Sequence, residues 1–195
     1  MLKRLPRQQG VSLVEILVGL GIVALLSTFA APAFRTFTQN SHIRNGAEAI
    51  QNGLNLARSE AVRRNTQVQF VLGTGASWTV GCVTSDANCP QTIQSRPQGE
   101  GSTQAAVATS EVVASTNAVV AAPVFTDTLV FNGLGKERTL PAANNAVFNI
   151  SNPSGGSCTT MRCLRVVVTP GGQVRMCDPA RVSPPPPALP DPQAC

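Results

Sequence analysis

The sequence predicts an α+β fold in which one long N-terminal helix packs on an antiparallel β-sheet. A continuous helical pattern runs from about Val11 to about Arg64, and only short β-rich segments follow it. In the second half of the helix, apolar residues recur at alternating spacings of four and three, which is the period of one helix face. They are Ile43, Ala47, Ile50, Leu54, Ala57 and Ala61.

The first half of this helix is apolar enough to cross a membrane. From Val11 to Ala31 its only ionisable side chain is Glu15, and about 20 apolar residues span the hydrocarbon core as a helix. Ten residues with three basic side chains and no acid precede this run, and such positive charge keeps the N-terminus in the cytoplasm. We therefore expect a single-pass membrane protein whose C-terminal domain lies outside the cytoplasm.

Two ordinary targeting signals explain the apolar run less well. A secretory signal has a shorter apolar region before a small-residue cleavage site, for which Ala30–Ala33 is the candidate. A plain signal anchor needs only the apolar run. Neither requires Glu15, five residues beyond Gly10, where a carboxylate is costly in lipid and indicates a functional site.

The net charge is concentrated at the N-terminus. Fifteen Lys and Arg against ten Asp and Glu give +5. Three of the basic residues lie in the first ten positions, so the remainder carries twelve minus ten, or +2. The basic balance is therefore a poor indicator of nucleic-acid binding.

Cysteines after the apolar run predict disulfides in an exported domain. They are Cys82, Cys89, Cys158, Cys163, Cys177 and Cys195. Cys82 and Cys89 are close enough to close a short loop, whereas Cys177 has two candidate partners, Cys195 and Cys163. If Cys195 is the partner, Cys158 and Cys163 form the third pair. Zinc is the alternative, but no CxxC pair occurs and the only histidine is remote, so we expect neither a metal nor a cofactor.

Short segments after the helix predict strands. Gln67–Leu72 and Ser77–Val83 flank a Gly-containing turn, and Leu164–Val168 and Gln173–Met176 flank a Pro-Gly-Gly turn, so each pair predicts a hairpin. Further strands are expected within Ala105–Val120, Val124–Phe131 and Ala146–Ile150, and loops at Gln94–Gln104 and Ser151–Ser157.

These patterns predict five consecutive regions. They are a leader at residues 1–10, a transmembrane helix at 11–31, its amphipathic continuation at 32–64, a β-rich globular domain at 65–182 and a Pro-rich tail at 183–195. Pro32 is expected to kink the helix, because proline removes a backbone donor and crowds the preceding turn.

The sequence indicates that the protein is not an enzyme. It contains no GxSxG elbow, no Walker A loop and no HExxH motif. His42 falls on the polar side of the long helix, where a solvated side chain is expected, and the scattered acids form no pair.

The stretch from Gly10 to Glu15 resembles the prepilin signature of type IV pilins and type II secretion pseudopilins. The resemblance implies that a prepilin peptidase cuts after Gly10 and that Val11, where the family usually has Phe, becomes methylated. Pro32 with its flanking alanines also matches the family. In the family, the acid at the position of Glu15 is tied to recruitment and assembly.

Three further segments resemble the GspH/FimT minor-pilin group, whereas residues 85–122 show no such resemblance. The segments are Leu56–Ala61, Leu129–Gly135 and Cys163–Pro179. This implies the pilin fold and a structural minor pilin that helps to initiate or cap a type IV pilus. Its partners would be other pilins and minor pilins, the prepilin peptidase and the inner-membrane assembly platform. The alternative is the H-type pseudopilin of type II secretion.

Glu15 is expected to act between subunits. Cleavage turns Val11 into an ammonium at the end of an apolar helix, and a carboxylate in a neighbouring subunit can pair with it. That attraction is much stronger in low dielectric than in water, and an unpaired partner is penalised. The alternative is a carboxylate that merely reaches the membrane surface.

A basic C-terminal surface is the second candidate site. Arg165, Arg175 and Arg181 lie within twenty residues and would contact phosphates if they share a solvated face. The alternative is an ordinary charged sheet face. Some FimT-like proteins bind DNA through a Gly-Arg-x-Arg motif, which matches Gly172 and Arg175 here but has Gln173 in place of its first arginine. A DNA receptor for natural transformation is therefore the third functional hypothesis.

Overall fold

The computed structural model describes residues 10–100, 102–152, 158–184, 189 and 191–195. It contains two compact units, Met1–Phe37 and Thr38–Cys195. Most of the predicted leader (1–9) and parts of the predicted loop (153–157) and tail (185–188 and 190) lie outside the described residues.

One long helix and eight strands make up the described chain. The helix, α1, is Leu13–Arg64, close to the predicted bounds. The strands are β1 Val68–Leu72, β2 Trp78–Cys82, β3 Gln94–Arg96, β4 Ala106–Val113, β5 Thr128–Phe131, β6 Asn144–Ser151, β7 Leu164–Val168 and β8 Val174–Cys177. They form two four-stranded sheets in the orders β3-β2-β1-β5 and β4-β6-β7-β8, and every strand pair is antiparallel. The α+β class is confirmed.

Both predicted hairpins form. β1 pairs with β2 through Phe70 opposite Val80, and β7 pairs with β8 through Val167 opposite Arg175. The predicted loop at Gln94–Gln104 was wrong in part, since its first three residues form β3. That segment is too short and polar to show a strand period, and it is a strand only because it pairs with β2.

A single core joins the second half of α1 to both sheets. All six residues of the predicted helix stripe are fully buried. Phe70 and Phe148 meet edge to face with ring centroids 5.8 Å apart, the arrangement that aromatic pairs prefer. Gly53 permits the close approach, because a Cβ there would lie 2.8 Å from atoms of Phe70 and Trp78.

Three disulfides form within the described residues, and they use all six cysteines. The pairs are Cys82–Cys89, Cys158–Cys163 and Cys177–Cys195, with Cα separations of 5.8, 5.3 and 5.2 Å. These separations suit a disulfide. Of the two partners left open for Cys177, the structure selects Cys195 and so ties the tail to β8.

His42 departs from the solvated position expected for it. The side chain is half-buried, and its Nδ1 atom is buried with no hydrogen-bond partner among the described residues. The helical period placed this residue off the apolar stripe, but folding covers it in part.

Glu111 is a buried residue of β4, and its carboxylate binds the segment that precedes β5. The residue is 1% exposed. Its carboxylate accepts bonds from the Val124 N–H at 2.8 Å, the Phe125 N–H at 3.3 Å and Asn144 Nδ2 at 2.6 Å. Burial alone would raise the pKa of Glu111, but these hydrogen bonds outweigh burial and lower it. Val124 and Phe125 were expected to form a strand of their own or one bent strand with Leu129–Phe131. Both expectations were wrong, since the two residues lie outside β5 and their N–H groups bond to Glu111 instead.

Replacing Glu111 with Ala is expected to lower the free energy of unfolding by about 3 kcal/mol, because buried donors would lose their acceptor. The pKa of Glu111 in the folded protein lies below its unfolded value of about 4.3. The carboxylate therefore contributes fully to the free energy of unfolding above that pH. This contribution is lost as pH falls through the folded pKa. Urea denaturation of a chain beginning at Thr38, at neutral and acid pH, measures both effects.

The matched control is Glu111→Gln, which keeps the shape and one acceptor but cannot titrate. It should show a weaker loss of stability on acidification than the native chain. Equal stability of Glu111→Ala and the native chain at pH 7 would contradict this role.

Candidate functional site

The prepilin-like stretch lies at the start of α1 and is accessible. A Cβ on Gly10 would meet nothing within 4 Å, and Val11 is 70% exposed. The helix begins two residues later, and the Ile16 N–H donates to the Ser12 carbonyl at 3.2 Å. The predicted cleavage site thus precedes the helix and is exposed to solvent.

Glu15 lies in the first turn of α1. A carboxylate there interacts favourably with the helix dipole. Every described side chain from Val11 to Phe29 is exposed, and Glu15 is the only ionisable one. No ion pair within the described part of the chain involves it. A helix that is apolar on all sides requires lipid or other protein around it.

The helix α1 is continuous but bends near Pro32. No single helix among the described residues has the length and hydropathy of a membrane span, whereas the bent pair Leu13–Phe29 and Ala31–Arg64 meets those criteria by length and composition. Proline has no N–H and crowds the carbonyl of Thr28. The bend at this position is the kink expected from the sequence.

Arg165 and Arg175 lie on one face of the second sheet. Arg165 is opposite Cys177 and Arg175 is opposite Val167, so strand alternation places both arginines on the Val167 side. Arg165 Nε donates to Asn149 Oδ1 at 2.7 Å. Arg175 is exposed, and its Nη2 lies 3.4 Å from the Cys195 carbonyl oxygen.

Arg181 is held by acids rather than left free. Its Nη1 lies 3.0 Å from Asp191 Oδ2, and its Nε lies 4.0 Å from Asp178 Oδ2. Arg162 Nε also contacts Asp178 Oδ2, at 2.8 Å. Burial would raise the pKa of Asp178, but hydrogen bonds from Arg162 and the Ala180 N–H, with both arginine charges, lower it. The apparent basic cluster is thus partly neutralised.

A cleft borders this surface. Arg175 and Arg181 line it with Asn117 and Ser183, and its volume is about 670 Å³. Asp191 also lines it, so the cleft carries mixed charge. Among the residues that the structure describes, no group of three or more His, Cys, Asp or Glu side chains is arranged to hold a metal.

Gly172 is required by packing. Its φ is +78°, and a Cβ there would overlap the carbonyl oxygen of Gly135. Arg58 on α1 donates from Nε to that same oxygen at 3.2 Å. Gln173 is exposed beside this contact. At this point α1 meets both the β5–β6 turn and the β7–β8 turn. We call this contact the Arg58 junction.

The Arg58 junction brings together the three segments that resemble minor pilins. Leu56–Ala61 supplies Arg58, Leu129–Gly135 supplies Gly135, and Cys163–Pro179 supplies Gly172. Helical periodicity placed Arg58 only on a polar face. The resemblance of its segment was the signal that could have identified it.

Comparison with known families agrees with this geometry. Residues 46–172 match the family described as type II transport protein GspH. The chain belongs to the GspH family. Residues 5–31 match the prokaryotic N-terminal methylation motif, so this GspH-family chain is a minor pilin or pseudopilin of the kind that serves type IV pili or type II secretion.

Two solved structures show partial similarity to this chain. The type IV minor pilin FimU of Pseudomonas aeruginosa is 17% identical, with 72% of this chain and 91% of that chain covered and a TM-score of 0.48. The minor pseudopilin EpsH of the Vibrio cholerae type 2 secretion system is 14% identical, with 72% and 99% covered and a TM-score of 0.48. No curated protein matches the sequence.

Replacing Gly172 with Ala is expected to lower the free energy of unfolding by about 3 kcal/mol. A left-handed φ disfavours any Cβ, and the overlap with Gly135 adds packing strain. Gly171→Ala is the matched control, because its Cβ would lie 3.7 Å from Thr169 Oγ1 and meet nothing else. Thermal and urea denaturation of both variants measure the difference, and similar losses for the two would contradict the packing role of Gly172.

Proposed function

We propose that this GspH-family chain is a minor pilin of a type IV pilus system that helps to initiate or cap pilus assembly. A prepilin peptidase cuts between Gly10 and Val11, and Val11 becomes methylated. Residues 11–31 hold the protein in the inner membrane with the C-terminal domain in the periplasm, until it enters the pilus. Its partners are other pilins, minor pilins and the inner-membrane assembly platform. This role requires no catalytic group.

The observation that carries this proposal is Glu15. It is an exposed carboxylate in Val11–Phe29, which is otherwise uncharged and apolar, in a chain with the N-terminal methylation motif. In a lipid or protein environment, such a charge needs a partner of opposite sign. Cleavage before Val11 creates an ammonium that can serve as this partner in a neighbouring subunit. The pairing would set the register between helices as subunits leave the membrane.

The second candidate is the H-type pseudopilin of a type II secretion system. It is favoured by the family match over residues 46–172, whose description is a type II transport protein. The same N-terminal chemistry would serve both systems. Deletion of the gene separates them: loss of surface pili supports the first candidate, and loss of protein secretion with pili intact supports the second.

A third candidate function is DNA binding during natural transformation. Arg165 and Arg175 share one face of the second sheet, and Arg175 is exposed. Arg181 contributes less free charge because Asp191 and Asp178 contact it. The exposed Gln173 removes one cation from the motif that similar proteins use.

Replacing Glu15 with Leu is expected to reduce incorporation into pili about tenfold or more. An ion pair at 4 Å is worth about 4 kcal/mol even at an effective dielectric of 20. Glu48→Gln is the matched control, since Glu48 lies on the same helix but forms an exposed pair with Arg44, and such pairs contribute little. Immunoblots of sheared pili and membranes measure the ratio. Normal incorporation of Glu15→Leu would defeat the pairing idea.

If the protein binds DNA, Arg175→Ala should weaken duplex binding by about tenfold at low salt and reduce the salt slope by about one. Arg181→Ala should have a smaller effect, because that charge is already paired. Fluorescence anisotropy over a salt series measures both. An absence of binding even at low salt would remove the third candidate and leave the first two untouched.

A further inference from the structure

Sheet edges expose unpaired main-chain groups, and folded proteins usually cover or charge them. The edge of β5 is bordered by the residues that follow it. Phe131 forms a bridge with Glu137, and the Arg138 N–H donates to the Val130 carbonyl at 2.8 Å. This edge is therefore closed by the chain itself.

Two other edges are also protected. The edge of β8 is bordered by the tail, through a bridge between Asp178 and Ala194 that the Cys177–Cys195 disulfide holds in place. β3 is only three residues long, and Pro97 follows it directly. Proline offers no N–H for pairing.

The outer edge of β4 differs. The Ala114 N–H donates to the Ala143 carbonyl at 2.8 Å across the β4–β6 ladder, which places the even-numbered residues of β4 in hydrogen-bonded pairs with β6. The odd-numbered residues therefore direct their N–H and C=O groups away from β6. They are Val107, Thr109, Glu111 and Val113.

Only the second half of this edge is covered. The Val113 N–H donates to the Ala118 carbonyl, and the Val120 N–H donates to the Glu111 carbonyl, both at 2.9 Å. Within the described ranges, the outward main-chain groups of Val107 and Thr109 have no hydrogen-bond partner.

The usual protective residues are missing from this edge. β4 contains no Lys and no Pro, and its one charged residue, Glu111, is buried. No basic residue occurs between Arg96 and Lys136. Lysines and prolines at an edge deter the addition of another strand, so this edge can accept one.

We propose that the open part of β4, residues 106–110, pairs antiparallel with the same segment of a second copy of this chain. A hydrogen-bonded pair between the two copies requires, on each strand, a residue whose N–H and C=O groups point away from β6. A two-fold axis at Ala108 places Val107 of one copy opposite Thr109 of the other, and both residues meet this requirement. Ala108 then faces itself in a non-hydrogen-bonded pair, where Cα atoms approach to about 4.5 Å. Ala108 is small and exposed, which suits that spacing.

The surroundings of β4 set the limits of this pairing. On one side the covered edge begins at Glu111. On the other, the chain turns away before Ala106, with the Ala105 N–H donating to the Ser102 carbonyl at 3.0 Å. The pairing is isologous and uses the same edge on both copies, so it closes at a dimer. It stands on the sheet edge alone and does not depend on the assembly role of Glu15.

The test is cysteine crosslinking of the full chain in membranes. Ala108→Cys is expected to form a disulfide-linked dimer on mild oxidation, because an antiparallel non-hydrogen-bonded pair has a Cα separation suited to a disulfide. Ala180→Cys is the matched control, because Ala180 is exposed and follows β8, at the opposite edge of the second sheet. We expect about tenfold less dimer from the control. Repeating both in a Glu15→Leu background separates this contact from association through the apolar helix.

Two further variants test the hydrogen bonds. Thr109→Pro removes an outward N–H and no bond to β6, so in the Ala108→Cys chain it should lower crosslinking about tenfold. Ala108→Lys leaves the main chain unaltered but charges the edge, and it should lower the dimer fraction of the full chain in detergent, measured by sedimentation velocity.

Several results would overturn the proposal. One is an Ala108→Cys thiol that reacts with maleimide but forms no dimer. Others are equal crosslinking at Ala180→Cys, crosslinked species larger than a dimer, or exclusive crosslinking to a different envelope protein. A dimer fraction unchanged in both Thr109→Pro and Ala108→Lys would have the same consequence.

Discussion

The packing of the second half of α1 against both sheets is the interaction on which the rest of the structure depends. Its stripe of six apolar residues is fully buried, and it joins core residues of both sheets in one cluster. A sheet must bury its apolar face against another layer, and here one helix face serves two sheets. Gly53 lets the helix come close enough for Phe70 and Trp78 to fill the space between.

The Arg58 junction is a consequence of that packing. Segments that resemble minor pilins are distant in sequence but meet where Arg58 contacts the Gly135 carbonyl and Gly172 leaves room for it. The glycine that aligns with a DNA-binding motif in similar proteins thus has a packing reason of its own. A match at that glycine is consequently weak support for DNA binding, and the argument for it depends on Arg165 and Arg175.

The two regions with resemblance to known families lie in different parts of the chain. The first part of α1 carries Glu15 and the match to the N-terminal methylation motif, whereas the Arg58 junction lies in the C-terminal unit. The open edge of β4 lies within residues 46–172, the range that matches the GspH family, but outside the three segments that meet at the Arg58 junction.

The sequence by itself determined the elements whose signals are local. Helical periodicity predicted the helix that the structure bounds at Leu13–Arg64 and the stripe it buries, and turn chemistry predicted both hairpins. The stretch from Gly10 to Glu15 carried the resemblance to prepilins, and residues 5–31 match the N-terminal methylation motif. Each signal depends on residues a few positions apart, so each can be read without the fold.

Only the tertiary structure decided what depends on distant contacts. β3 has no strand period and exists through its pairing with β2. The burial of Glu111 depends on donors at Val124 and Asn144, and the choice of Cys195 for Cys177 depends on the path of the tail. Contacts between distant residues also decide which arginines are paired with acids. They decide in the same way which sheet edge stays open. Burial and edge pairing are properties of neighbours in space, which sequence spacing does not specify.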